Sequence, residues 1–347
     1  MNIISLIVLG MASVLTIGFY KKIAVKAKLL DHPNERSSHL IPTPRGAGLV
    51  FISLWLLFLV ALYVQGFSSL QNIQVFAPLV LLLFFGFLDD YYTISAKLRF
   101  VVQIIAALLS LWLIGGITEW NLGFVSFDFG IVFGTVLALL MFLWSVNLFN
   151  FMDGIDGIAA IEALFVLIPG SIWIFLKGGF ELGFVMWGLC AVILGFLFWN
   201  APKAKVFMGD SGSLCLGFLI ILFALIAQKS FDISLLSWMV LYGLFLFDAT
   251  FTLARRVLKK EKWFQAHRLH AYQRLHQAGW PQSRVLLAVI IINSALTLIA
   301  SVMNFYPQFS LIGFLLAVII LAASYGYVER LQPMYKIIVK LGVRANS

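Results

Sequence analysis

Eleven long apolar runs, separated by short polar stretches, set the pattern of this chain. They cover approximately residues 1–20, 46–65, 75–88, 99–115, 131–149, 158–176, 180–198, 213–228, 234–253, 285–303 and 309–327. A membrane-spanning helix needs about 20 mainly apolar residues, somewhat fewer when packed inside a bundle, so the pattern predicts an all-α polytopic integral membrane protein with about 11 transmembrane helices. The run at 75–88 is short, and without it the alternation of sides would break.

The first run has no basic segment before it and no small-residue cleavage site, and Lys21, Lys22, Lys26 and Lys28 follow it directly. It reads as a retained helix with its N-terminus outside, and not as a signal peptide. If the spans alternate from there, the C-terminus is cytoplasmic and the inner connections hold 22 of the 24 Lys and Arg, with Lys177 and Lys229 alone outside. That asymmetry fits the positive-inside rule and supports both the count and the orientation.

Hydrophobic residues make up 62% of the chain and charged residues 11%, against about 25% charge in a soluble domain. A net charge of +9 could point to nucleic acid in a soluble protein, but its placement on the inner connections assigns it to the membrane surface. Cys190 and Cys215 both lie inside apolar runs and read as small packing residues. No internal repeat or linker divides the chain, so one domain is expected. Its longest soluble stretches are 21–45 and 254–284, and the second mixes Arg255, Arg256, Lys259 and Lys260 with Trp263, Phe264 and Trp280, a composition suited to the headgroup layer.

Three acidic stretches sit where apolar runs end on the inner side: Gly86–Tyr92 with Asp89 and Asp90, Asn147–Gly157 with Asn150, Asp153 and Asp156, and Val206–Ser213 with Asp210. Ionisable residues near hydrocarbon are functional-site candidates by default. If the three loops converge, several negative charges share one space, which is unfavourable unless a cation neutralises them. Mg²⁺ suits such a place, because it takes one or two carboxylates and completes its shell with waters and substrate phosphates. The Gly209–Ser213 run offers backbone N–H groups and hydroxyls to an anion at a helix start. Asn150 and Asn200 can hydrogen-bond a nucleobase, ribose or sugar, and Phe207 could stack on a base; singly, each also reads as a helix cap or a lipid-facing ring.

His267-Arg268-Leu269-His270 places two imidazoles at i and i+3, on one face if the stretch is helical. It lacks the His-Glu-x-x-His of zinc peptidases, so a phosphate or sugar contact by His267, Arg268 and His270 is the expectation, with ordinary interfacial histidines as the alternative. In the first inner loop, Arg36 or Arg45 could pair with phosphate oxygens, or Arg45 could anchor a helix at the headgroups. Asp248 lies in the ninth run without an evident role.

The loops Asp89-Asp90, Asn150-x-x-Asp153-Gly154-x-Asp156-Gly157, and Asn200-Ala201-Pro202 through Phe207-Met208-Gly209-Asp210-Ser211-Gly212-Ser213 resemble, in that order, those of the polyprenyl-phosphate N-acetylhexosamine-1-phosphate transferases. The resemblance covers roughly residues 1–280. With Pro33-Asn34-Glu35-Arg36-Ser37-Ser38-His39 and His267-Arg268-x-His270, it is nearest the bacterial branch that initiates O-antigen or related surface glycans. It implies transfer of N-acetylglucosamine- or N-acetylfucosamine-1-phosphate from UDP to undecaprenyl phosphate at the cytoplasmic face of the inner membrane, with Mg²⁺, or Mn²⁺ in its place. The partners it implies are the UDP-sugar, undecaprenyl phosphate and membrane lipids, without nucleic acid, and it leaves a homodimer open. By the same resemblance Asp210 is the principal metal ligand, and Asp89 and Asp90 position or deprotonate the lipid phosphate. Asn150, Asp153 and Asp156 then line the nucleotide and diphosphate site, and Asn200 and Phe207 contact uridine. The loops 21–45, 89–98, 150–157, 199–212 and 254–284 would form this active site. The peptidoglycan relative, phospho-MurNAc-pentapeptide translocase, has Lys three residues after its Asp pair, where this chain has Thr93, and an unbroken histidine run, which Arg268 and Leu269 interrupt here. A lipid-linked glycan transporter is the alternative from another class, although its acids would be expected near the membrane midplane.

Overall fold

The computed structural model describes residues 2–33, 41–92, 94–262 and 267–335. Arg36, His39, Thr93, Trp263 and Phe264, on which some of the expectations above fall, lie outside the described residues. Helix follows nearly every apolar run: α1 (Ile3–Lys26), α2 (Gly48–Val64), α3 (Leu70–Ile73), α4 (Leu79–Tyr92), α5 (Ala96–Leu113), α6 (Gly130–Met152), α7 (Ile158–Leu176), α8 (Phe180–Asn200) and α9 (Asp210–Phe231). They are followed by α10 (Leu235–Leu241), α11 (Gly243–Leu258), α12 (Ala271–Gln277), α13 (Gln282–Phe305) and α14 (Ser310–Leu331). The only sheet among the described residues is two short antiparallel pairs, β1 (Leu30–Asp31) with β2 (Thr43–Pro44) and β3 (Glu119–Asn121) with β4 (Ser126–Asp128).

Nine helices among the described residues are long and apolar enough to cross a membrane, and ten if α10 and α11 count as one bent span. The 17-residue α2 occupies the remaining run of the eleven. The protein is thus an all-α, multi-pass membrane protein. Two details differ from the reading of the sequence. The run at 75–88 is part of a longer helical stretch, Leu70–Tyr92. The run at 234–253 is not straight but turns through 79° between α10 and α11. Tyr242 sits at that turn, buried, with its hydroxyl 3.3 Å from Ser145 Oγ on α6.

Lipid tails are as apolar as leucine, so helix association in a membrane rests on close packing and interhelical hydrogen bonds. Both are visible here. A Cβ on Gly195 of α8 would meet Ser13 Cβ of α1 at 2.5 Å, and one on Gly217 of α9 would meet the Ser145 carbonyl oxygen of α6 at 2.6 Å. At the same two crossings Ser13 Oγ donates to the Val192 carbonyl at 2.8 Å, and Ser145 Oγ donates to the Gly217 carbonyl at 2.7 Å. Helix α9 is the axis: it packs on α2, α4, α6 and α7 and is 78% buried, whereas α1 at the rim is 11% buried. Cys190 and Cys215 are buried and unpaired, in keeping with a packing role. Because α9 is central, whatever stands at its first turn is enclosed by the ends of its neighbours.

Candidate active site

The first turn of α9 is built by close approach. A Cβ on Gly86 of α4 would come within 2.8 Å of the Ser211 backbone, and one on Gly209, which has φ +72°, would collide with the Asp90 carboxylate. Helix α4 therefore lies against the start of α9, and its own C-terminal turn delivers Asp89 and Asp90. The first inner loop joins from another side by backbone bonds. Phe207 N donates to the Pro44 carbonyl at 2.8 Å, Ala47 N to the Phe207 carbonyl at 3.1 Å, and Gly48 N to the Met208 carbonyl at 2.8 Å.

Asp90 is 2% exposed. Its Oδ1 accepts from Asp210 N at 2.9 Å, and its Oδ2 from Ser211 N at 3.2 Å and Ser211 Oγ at 2.9 Å. The helix start expected to receive a substrate anion is thus occupied by the protein's own carboxylate, whose charge complements the helix dipole. Asp90 holds the loop in shape and is not open to a lipid phosphate. Asp89 is also buried: it accepts from Ile94 N at 2.5 Å and from Arg99 Nη1 at 2.8 Å.

Asp210 is the more open carboxylate, with its side chain 27% exposed. Asn150 Nδ2 donates to its Oδ1 at 2.8 Å and to Ser213 Oγ at 2.9 Å, while Arg99 Nη1 reaches its Oδ2 at 3.4 Å. Asn150 therefore orients Asp210, which is a more specific task than lining a nucleotide site. Arg99 was not among the residues singled out from the sequence. A lone arginine at the start of an apolar run, ten positions after an Asp pair, is the signal that could have found it.

Asp153 caps the end of α6 and is partly exposed, and Asp156 is buried and accepts from Ala204 N at 2.9 Å. Burial pushes the Asp153 carboxyl up to about 7, and the charges of Asp156 and Asp90 add to the shift. Three of the acids therefore share one field, as expected of converging loops. Asn200 is 4% exposed and joins two loops: its Oδ1 accepts from Gly157 N at 2.9 Å and its Nδ2 donates to the Val206 carbonyl at 3.0 Å. Both ends of the amide are engaged with backbone, so the expected uridine contact becomes a positioning role. Phe207 is half-buried beside it. Arg45 lies within Coulombic range of Asp90, and its Nε is buried without a hydrogen-bond partner among the described residues.

The histidine stretch is not helical. His270 is the N-cap of α12, with Gln273 returning the bond from its side chain, and His267 and Arg268 precede the helix. The two imidazoles are nevertheless neighbours, 4.8 Å between ring centres. His267 Nδ1 accepts from Leu269 N at 3.3 Å, which leaves Nε2 to carry the proton. Burial, with the charges of His270 and Arg256, pushes His267 down to about 3, so at neutral pH its ring is neutral. Asp248 gains a clear role: its carboxylate accepts from Ala271 N at 3.0 and 2.8 Å and from Thr252 Oγ1 at 3.0 Å, with His270 Nδ1 at 3.4 Å. It fastens α12 to α11. Tyr272 then reaches over to donate to the Phe151 carbonyl at 3.3 Å, against Gly154, which seats the stretch from His267 beside the Asp153 loop. Burial pushes the Tyr272 phenol well above its usual range.

Among the described residues, no three His, Cys, Asp or Glu side chains are placed to hold a metal ion together. A fully protein-built cage is therefore not offered. What is offered is the partly open carboxylate of Asp210, bridged to Asp89 by one guanidinium, in a field of further carboxylates that includes the partly exposed Asp153. That donor set fits a hard cation of the Mg²⁺ kind, which binds through one or two carboxylates and relies on water and phosphate oxygens for the rest.

Acids gathered at one end of a helical membrane bundle, with the partly open Asp210 and basic side chains beside it, are groups that a membrane-embedded phosphosugar transferase requires. Comparisons with known proteins agree. Glycosyl transferase family 4 matches residues 72–228, a span that contains all three acidic loops. A probable undecaprenyl-phosphate N-acetylglucosaminyl 1-phosphate transferase of Bacillus subtilis is 29% identical, over 87% of this chain and 86% of its own length. The undecaprenyl-phosphate alpha-N-acetylglucosaminyl 1-phosphate transferase of Escherichia coli K12 is 29% identical, over 94% of this chain and 92% of its own, and that of Yersinia pestis is 27% identical over 88% and 86%. The chain thus carries a glycosyl transferase family 4 region and is similar over most of its length to undecaprenyl-phosphate N-acetylglucosaminyl 1-phosphate transferases.

Proposed function

We propose that this protein transfers an N-acetylhexosamine-1-phosphate, N-acetylglucosamine or a 6-deoxy relative such as N-acetylfucosamine, from its UDP-sugar to undecaprenyl phosphate. UMP is released, and the product initiates O-antigen or another surface glycan. The observation that carries the reading is the meeting of Asp210 with Asn150 and Arg99 at the start of α9, where three acidic loops join. The site faces the cytoplasm of the inner membrane in this reading, because the basic inner loops frame it.

An oxygen of the lipid phosphate attacks the β-phosphorus of the donor; the new P–O bond forms as the bond to the UMP oxygen breaks, and UMP carries away that electron pair. A phosphate monoester with a second pKa of about 6 is largely ionised at neutral pH, so no strong base is needed. This agrees with the burial of Asp89 and Asp90 behind their own partners. Phosphoryl transfer depends mainly on positioning and on neutralising charge. Asp210 would hold Mg²⁺, which would supply charge neutralisation to the diphosphate. Asn150 orients Asp210, Asn200 and Asp90 fix the loops, and Arg45, Arg268 and the neutral His267 face the phosphates and the sugar. An apolar groove of about 400 Å³ between α6, α9 and the bend at Tyr242, lined by Trp144, Ile220, Trp238 and Leu246, offers the polyprenyl chain a place beside the bundle.

The test is to incubate purified protein with undecaprenyl phosphate, Mg²⁺ and a panel of UDP-N-acetylhexosamines while following UMP. Release that requires lipid, metal and Asp210 supports the reading and names the sugar. No UMP from any donor, with protein that remains monodisperse, overturns it.

A further inference from the structure

Among the described residues, Arg99 is the one basic side chain that bridges two of the site's carboxylates. Its backbone is fixed in the first turn of α5, where Arg99 N donates to the Ser95 carbonyl. One nitrogen, Nη1, makes both contacts, at 2.8 Å to Asp89 and 3.4 Å to Asp210. The two bonds are unequal. The shorter goes to the carboxylate that is 5% exposed and the longer to the one that is 27% exposed. Nε and Nη2 make no hydrogen bond to the described residues, on a side chain 36% exposed. A guanidinium has five N–H donors in a rigid fork, so Arg99 is held by one corner while the face that pairs with phosphate oxygens is open.

We propose that Arg99 is an exchangeable counter-ion. In the substrate-free enzyme it occupies the Asp210 carboxylate in competition with a divalent cation, and when the cation binds it keeps Asp89 and turns its open N–H groups to the substrate phosphates. The inference rests on the reading of Asp210 as the metal-holding residue and adds a partner to it. The charge balance favours the exchange. Without a cation, Asp210 would be an uncompensated carboxylate beside Asp89 and Asp90, and Arg99 is the cation within reach. With a cation present, a guanidinium 3.4 Å away on the same carboxylate opposes it, whereas a phosphate brought in with the metal attracts it.

The experiment measures divalent-cation binding by the full-length protein in detergent without substrate, using Mn²⁺ and its paramagnetic signal as the readout. Arg99→Gln is expected to bind Mn²⁺ about three- to tenfold tighter than the wild type, the size of a partly exposed ion pair, and yet to lose turnover. Arg99→Lys, which keeps the charge but not the fork, is expected to return Mn²⁺ affinity toward the wild-type value while turnover stays low. Equal or weaker binding by Arg99→Gln overturns the proposal. If that variant does not fold, a structure of the wild type with Mn²⁺ decides instead: Arg99 off Asp210 and still on Asp89 is expected, and Arg99 unmoved overturns it. Asp210→Asn serves as the control that separates the two readings. Wild-type binding that is lost in Asp210→Asn, without any gain in Arg99→Gln, removes only the exchange; no Asp210-dependent binding at all removes the metal reading and the exchange with it.

Discussion

At the scale of single residues, the acids of the site divide by what their oxygens touch. Asp90 meets three donors at the start of α9, so its replacement is expected to act on the fold first. Asp90→Asn turns an acceptor into a donor against Asp210 N or Ser211 N, and a buried N–H left facing another costs about 1–3 kcal/mol. A lowered thermal midpoint in detergent is expected together with lost activity; a variant inactive but as stable as the wild type would restore Asp90 as a base. Asp210→Asn is expected to leave the midpoint nearly unchanged and to lower turnover by about 10²-fold or more, as losing a charge-stabilising group does. Asp153 gives a pH signature. Partial burial, with the charges of Asp156 and Asp90 adding to it, pushes its folded carboxyl up to about 7, above the ordinary range. A raised acid holds a proton that the unfolded chain has released, so it removes stability as the pH rises from about 4 through 7. A divalent cation should displace that proton. Adding Mg²⁺ to weakly buffered protein at about pH 6.5 is expected to release protons, and Asp153→Asn to release fewer. The carboxylates themselves were legible in the sequence, since charge beside hydrocarbon stands out. Their division into Asp90 as cap and Asp210 as the more open carboxylate was not, because it depends on which helix start each one meets. Nor was Arg99, whose neighbours in sequence say nothing of Asp210, which lies 111 positions away.

At the scale of elements, the apolar runs located the helices but not their shape. The run at 234–253 is uniformly apolar, and hydropathy alone cannot show that α10 and α11 meet at 79°. At the turn, the Tyr242 hydroxyl accepts from Ser145 Oγ of α6. His267 and His270 share a face only if the stretch between them is helical, and the structure makes that stretch the approach to α12. The capping pair His270 and Gln273 spans three positions and could have marked the boundary. Asp248 fastens this element, because both its oxygens accept from Ala271 N. Asp248→Ala is expected to loosen residues 267–277, to raise the KM for the donor about tenfold, and to lower kcat much less. Mn²⁺ binding through Asp210 should stay as it was. Limited proteolysis within this stretch checks the loosening, and a fall in kcat at unchanged KM would instead place Asp248 closer to the chemistry.

At the scale of the whole molecule, the three acidic loops meet at one end of the bundle, and Lys177 and Lys229, at the C-terminal ends of α7 and α9, stand at the other. The ends of α4 and α6 and the start of α9 are held together by short hydrogen bonds, so these three loops share one side whatever the orientation. The positive-inside rule predicts that this side is the cytoplasmic one. The chain is well suited to testing this. Its only cysteines, Cys190 and Cys215, are buried, so a membrane-impermeant maleimide has little to react with in the native protein. Lys203, in the loop before α9, and Lys177, after α7, are both exposed and make no part of the carboxylate cluster. Lys203→Cys is expected to label in inverted vesicles and not in intact cells, and Lys177→Cys the reverse. The same pair also bears on the helix count. Between them lies α8 alone, so labelling from opposite sides requires that α8 cross the membrane, whereas labelling from one side would place α8 within a leaflet and break the alternation on which the inward-facing site depends.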